Sequence, residues 1–134
     1  MRSFAVFVCA TFLTGPVTAA DPVADDVVIQ RIIAALKEPD PDVRQNLANT
    51  LAKMGPAAVE PLIATLKDTV SERRAGAAYS LGLIGAPAKK ALPQLLDLLD
   101  DPELDVRRQA AYAVSRIVPS GVRTSPTVPT GGKQ

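Results

Sequence analysis

Three stretches decide the fold: IIAALKEPDPDVRQNLANTLAKMG at 32–55, LIATLKDTVSERRAGAAYSLGLIG at 62–85 and LLDLLDDPELDVRRQAAYAVSRIV at 95–118. They align without internal gaps, at offsets of 30 and 33 residues. Leu36/Leu66/Leu99, Arg44/Arg74/Arg107, Ala48/Ala78/Ala111 and Leu51/Leu81/Val114 fall into register. Repetition at this period marks an array of small units. One unit cannot bury its apolar face alone, so stacked units share a continuous core.

Within each unit the spacing predicts two helices joined by a sharp turn. Ile32, Ile33 and Leu36 recur at helical intervals, as do Leu62, Ile63 and Leu66. Pro39-Asp40-Pro41 and Asp101-Pro102 then punctuate. The second unit has Asp68-Thr69-Val70-Ser71-Glu72 at the same place, where Ser or Thr is expected to cap the next helix. In the second helix of unit one, Val43, Leu47, Leu51 and Met54 form the expected buried face. Gly55 and Gly85 should stop their helices, with Pro56 and Pro87 close behind. Ala48, Ala77, Ala78, Ala110 and Ala111 should let backbones approach closely. Strand-like alternation is absent from residues 21–134.

The segments VRQNLANTLAKMG, RRAGAAYSLGLIG and VRRQAAYAVSRIV, each following a turn with an acidic residue, resemble HEAT repeats. They are most similar to the short class named after phycobilisome lyases. The resemblance covers residues 32–118, with 26–31 extending the first helix. It implies an all-α fold: a short α-solenoid of about three helix pairs, an α-α superhelix. The tryptophan, glycine, tyrosine and proline pattern of tetratricopeptide repeats and the T-P-L-H of ankyrin repeats are absent.

Two sets of residues stand out. Glu38, Asp68 and Asp101 each precede Arg44, Arg74 and Arg107 by six residues. Across a tight turn, that spacing can bring a carboxylate near the arginine. In the resembling family, the matching acid and arginine tie adjacent repeats together, which favours a scaffold ladder over a charged binding site. Arginine suits the task because its planar fork serves two acceptors. The second set lies opposite the buried face and aligns as Gln45/Ala75/Arg108, Asn49/Tyr79/Tyr112 and Lys53/Leu83/Arg116. In stacked repeats the second helices line the concave face, where ligands bind. Asn49, Lys53, Tyr79, Leu83, Arg108, Tyr112 and Arg116 are therefore the candidate binding stripe. Tyrosine and arginine often anchor interfaces, while the alternative role for both rings is packing between helices with a wet hydroxyl.

The remaining charges read as surface. Lys89-Lys90 form only a weak anionic-ligand patch beside Asp97 and Asp100. Asp21, Asp25 and Asp26 form an acidic edge, and Asp25-Asp26 start a helix, where negative charge is favoured. The cluster Asp100-Asp101-Glu103-Asp105 lacks calcium-loop spacing and its glycine.

Composition removes much chemistry. The chain has 134 residues, no His, one Cys, and a net charge of +1 from 15 basic and 14 acidic residues. That balance excludes an electrostatic nucleic-acid binder. Without His there is no imidazole base, serine–histidine dyad or imidazole metal ligand. No phosphate-binding glycine loop occurs. The HEAT-type hydroxylases hold iron with His-Glu pairs, and bilin lyases are longer chains, so neither chemistry transfers to any residue here. No catalytic residue, cofactor or metal site is expected.

Residues 1–20, MRSFAVFVCATFLTGPVTAA, have the layout of a secretory signal peptide: Arg2, an apolar centre from Phe4 to Leu13, and small residues before Asp21. About ten residues at a rise of about 1.5 Å cover only half of a membrane's hydrocarbon core. Cleavage would remove Cys9 and leave a chain of zero net charge. The expected organisation is a signal peptide at 1–20, a repeat domain at 21–119 with units near 26–55, 58–85 and 88–118, and a disordered tail at 120–134 rich in Pro, Thr and Gly. The functional expectation is an exported, periplasmic or extracellular, non-catalytic scaffold. It would bind a protein partner through the concave face, without a stable membrane span or nucleic-acid partner. The alternative is a self-assembling or accessory subunit joined through the ends, where Val27, Val28 and Ile32, or Val114 and Ile117, would leave apolar surface.

Overall fold

The computed structural model describes residues 22–118. The expected signal peptide and tail lie outside these residues. Six α-helices follow one another: α1 (Pro22–Ala35), α2 (Pro41–Met54), α3 (Pro56–Thr65), α4 (Ser71–Ile84), α5 (Leu92–Asp97) and α6 (Leu104–Ile117). Among the described residues there is no strand. The helices pair as α1/α2, α3/α4 and α5/α6, which makes a short all-α solenoid. One layer contains α1, α3 and the α5 region; the other contains α2, α4 and α6, stacked side by side.

Local chemistry explains the boundaries. Asp40 caps α2 by accepting the Asp42 N–H at 2.9 Å, and Pro41 opens the helix where no N–H is needed. Gly55 and Gly85 end α2 and α4 with φ of +63° and +75°, as the glycine positions predict. No atom lies within 4 Å of where a Gly55 Cβ would stand. Gly55→Ala therefore isolates backbone strain, and thermal or urea unfolding should show a loss of about 2 kcal/mol.

Three expectations are corrected here. Neither Ser nor Thr caps α4: Val70 is the cap residue and has no side-chain acceptor. Asp68 Oδ1 instead accepts the Val70 N–H at 2.9 Å, because its short carboxylate closes the turn two residues earlier. The first helix of unit three is also not continuous. It is a 3-10 turn over Ala86–Ala91, then α5, then a 3-10 turn over Leu98–Asp100. Pro93 has no N–H to offer the Lys89 carbonyl, and the Leu92 N–H takes it in the tighter pattern. Finally, Val43 is exposed rather than buried. Leu51 is fully buried, while Leu47 and Met54 pack only partly against the core.

The core is one cluster running through all three pairs, from Ile29, Ile33 and Leu36 through Leu62, Leu66 and Leu81 to Leu95 and Ile117. Ala48, Ala77, Ala78 and Ala110 are fully buried between second helices. Ala111 is exposed, since within the described residues no further unit stacks on α6. The expected apolar end at Val114 and Ile117 is likewise corrected. Ile117 is buried and Val114 partly so, because both point back into the core; Leu96, Leu99 and Leu104 carry the exposed apolar surface instead. At the other end Val27 and Val28 are exposed and Ile32 is half-buried.

Candidate concave binding site

The arginine ladder sets the geometry. Each arginine reaches back over its own turn with Nη1. Arg44 donates to the carbonyls of Glu38 and Pro39 at 3.0 and 3.3 Å, and Arg74 to those of Asp68 and Thr69 at 2.9 and 3.1 Å. Arg107 donates to Asp101 and Pro102 at 2.6 and 3.0 Å. The six-residue spacing therefore brings the arginine to the acid's backbone carbonyl rather than to its carboxylate. A guanidinium can satisfy two turn carbonyls at once and keep its other edge free.

That free edge joins neighbouring units at one place among the described residues. Arg74 Nε and Nη2 grip Asp101 Oδ2 and Oδ1 at 2.9 and 3.1 Å, linking unit two to unit three. Both side chains are largely buried. Burial pushes the Asp101 carboxyl up, but the Arg74 fork, the Glu103 N–H and the charges of Arg74 and Arg107 outweigh it and hold it below its ordinary value. Asp68 does not take Arg44. It binds the Arg73 guanidinium at 3.1 Å, and its carboxyl is lowered chiefly by the Val70 N–H and then by Arg73. Arg44 turns instead to Asp105 of the third unit, 3.7 Å away.

This contact skips a unit. The starts of α2 and α6 can meet only if the face formed by the second helices curves inward over α4. Between them lies a cleft of about 170 Å³. Ala75, Gly76 and Tyr79 of α4 line it, with Pro41, Asp42, Arg44 and Gln45 on one side and Asp105 and Gln109 on the other. The Gln45 side-chain amide donates to the Tyr79 hydroxyl at 3.1 Å. Tyr79 stacks obliquely on Tyr112, with centroids 5.4 Å apart. Tyr112 in turn lies over Gly82, so close that a Cβ there would sit 2.9 Å from its ring.

The predicted stripe is thus divided. Gln45, Ala75 and Tyr79 reach the cleft. Tyr112 and Leu83 are half-buried beside it, and Asn49, Lys53, Arg108 and Arg116 are exposed, but none of these lines the cleft. The two rings pack between helices as well as facing outward. Asp42, Gly76, Asp105 and Gln109 line the cleft but are outside the sequence-derived stripe. Extending the stripe one helical turn toward the start of each second helix would have reached Pro41 and Asp105. Asp101 and Asp105 serve as arginine partners, and among the described residues no group of His, Cys, Asp or Glu gathers closely enough to hold a metal ion.

A family model described as HEAT repeats matches residues 29–116. The chain belongs to the HEAT-repeat family. The match spans all three pairs, so the HEAT array accounts for nearly all the described structure. No curated protein matches the chain. Among the described residues, no helix of the HEAT array is long and apolar enough to cross a membrane.

Proposed function

We propose that the HEAT array is a non-catalytic protein-interaction module that grips a partner segment in the cleft between α2, α4 and α6. HEAT repeats commonly mediate protein–protein interaction, and the observation that carries this reading is the cleft itself. Its volume, about 170 Å³, is well below the several hundred Å³ typical of cofactor and small-molecule pockets. It suits one or two side chains of a partner. Its lining combines an aromatic floor with the Gln45 and Gln109 amides and the Arg44 and Asp105 charges. Amides and ionic ends can recognise an extended backbone, while Tyr79 offers an apolar contact with a polar tip. Helices hold these groups in place, so little ordering entropy is lost on binding.

Export belongs to the same reading and is supported by the layout of residues 1–20; the partner is then periplasmic or extracellular. The absence of His from the sequence supports a non-catalytic role without cofactors. Assignment to the phycobilisome-lyase-like class rests on the acid, arginine and alanine pattern of the second helices.

A photo-crosslinking residue at Asp42 should capture one protein, whereas the same residue at Lys90, in the other layer, should not. A Gln45→Arg, Gln109→Arg variant should bind that protein at least tenfold more weakly while keeping its helicity. Undiminished binding by this variant would remove the cleft from the proposal.

A further inference from the structure

Comparing equivalent positions in the repeats exposes two unfinished surfaces. On the outer side of unit three, Leu99 is 37% exposed, while its equivalents Leu36 and Leu66 are 0% and 2% exposed. Leu96 is exposed where Ile33 is buried and Ile63 half-buried, and Ala111 is exposed where Ala48 and Ala78 are buried. On the outer side of unit one, Val43 is 42% exposed, while its equivalent Val106 is 0% exposed. Ile32 is half-buried where Leu62 and Leu95 are fully buried. In the inner positions, the neighbouring unit provides this cover. The two faces are therefore the two halves of the contact already used twice inside the chain.

Charge distinguishes the likeness of these faces from mere stickiness. Arg74 clamps its own turn with Nη1 and uses Nε and Nη2 for the acid of the following unit. Arg107 makes the same Nη1 clamp, and among the described residues no carboxylate meets its other edge. Glu38 holds the acid position of unit one, equivalent to Asp101, and uses only its backbone carbonyl toward Arg44. One face thus offers an open guanidinium edge and the other an open carboxylate at matching positions of the repeat.

We propose that a second copy of this chain stacks head to tail on the first, its unit one covering Leu96, Leu99 and Ala111 and its Glu38 meeting Arg107. Leu47 and Thr50 stand where the inner units have Ala77 and Ser80 or Ala110 and Ala113. These larger groups hold the copies further apart than units within the chain, so the association is weak and depends on concentration. The contact is heterologous and can extend beyond a dimer. None of Glu38, Val43, Leu96, Leu99, Arg107 and Ala111 lines the cleft, so the contact uses other side chains than those that line it.

Sedimentation velocity of the full chain, from low micromolar to millimolar concentration, tests this. The native chain should grow progressively in mass. Leu99→Asp and Val43→Asp should each remain monomeric with native helicity. An equal mixture of the two should form a one-to-one dimer and nothing larger, because only one competent pair of faces remains. Glu38→Arg, at a side chain that makes no hydrogen bond or ion pair among the described residues, should weaken association at least tenfold. A native chain that stays monomeric throughout overturns the proposal, as does self-association by either Asp variant alone.

Discussion

Gly82→Val should cost the HEAT array about 3 kcal/mol and leave a partly loosened third unit. A Cβ at this position would stand 2.9 Å from the Cα of Ala113 and from the Tyr112 ring. Backbone cannot swing aside as a side-chain tip can, so α4 and α6 must separate. Gly82→Ala should also destabilise, although alanine favours a helix over glycine by about 1 kcal/mol. Gly76→Ala is the control. Its Cβ would meet only Leu36 side-chain atoms, at 3.0–3.4 Å, and these can shift. Urea unfolding of the three variants should rank Gly76→Ala near the native chain, Gly82→Ala below it and Gly82→Val lowest. Equal stability of the two alanine variants would mean that α4 and α6 are less closely packed than described. Because Tyr112 carries Tyr79, the same change should disturb the cleft floor.

Asp101→Asn should lower stability at neutral pH by about 3 kcal/mol, because it leaves the largely buried Arg74 fork without its counter-charge. The pH dependence has a definite sign. The folded-state pKa of Asp101 lies below its ordinary value. Its contribution is therefore complete above the unfolded-state pKa, near 4, and disappears as pH falls through the lower folded-state value. Urea unfolding should show a wide gap between native and Asp101→Asn chains at pH 7, and a narrower one as the native chain is acidified below pH 4. A gap that stays constant into that range would mean that the carboxylate contributes through shape rather than charge.

The repeated segments made the helix pairs legible, because apolar spacing, Gly55 and Gly85 are local signals with local causes. The arginine clamps were half legible. Arg44, Arg74 and Arg107 share one spacing and one backbone role, but the reach of the second guanidinium edge depends on competitors elsewhere. Arg73 occupies Asp68, so Arg44 finds Asp105 instead. Exposure at the first end was legible at Val27 and Val28, but at the third unit's end it was not. Leu99 has the same letter as Leu36 and Leu66, and only the presence of a covering neighbour separates them. The cleft was hardest to foresee, since it arises from the curvature of three helices: Asp42 and Asp105 share one repeat position, Gln45 and Ala75 another and Gly76 and Gln109 a third, yet no position lines it in all three units. Tyr79 was found because repeat register places it on the stripe opposite the buried face, and the curve centres on that stripe.

The Arg44–Asp105 contact gives the curve a mechanical character. It is a long, partly solvated ion pair at 3.7 Å, with Asp105 more than half exposed. Such a pair stabilises by less than about 1 kcal/mol and weakens in salt. It acts as a soft spring across the mouth of the groove. The rigid parts of the array are its turns, each bolted by a guanidinium. The compliant part is the span between first and third units, which an entering chain could widen at little cost and which would close again behind it.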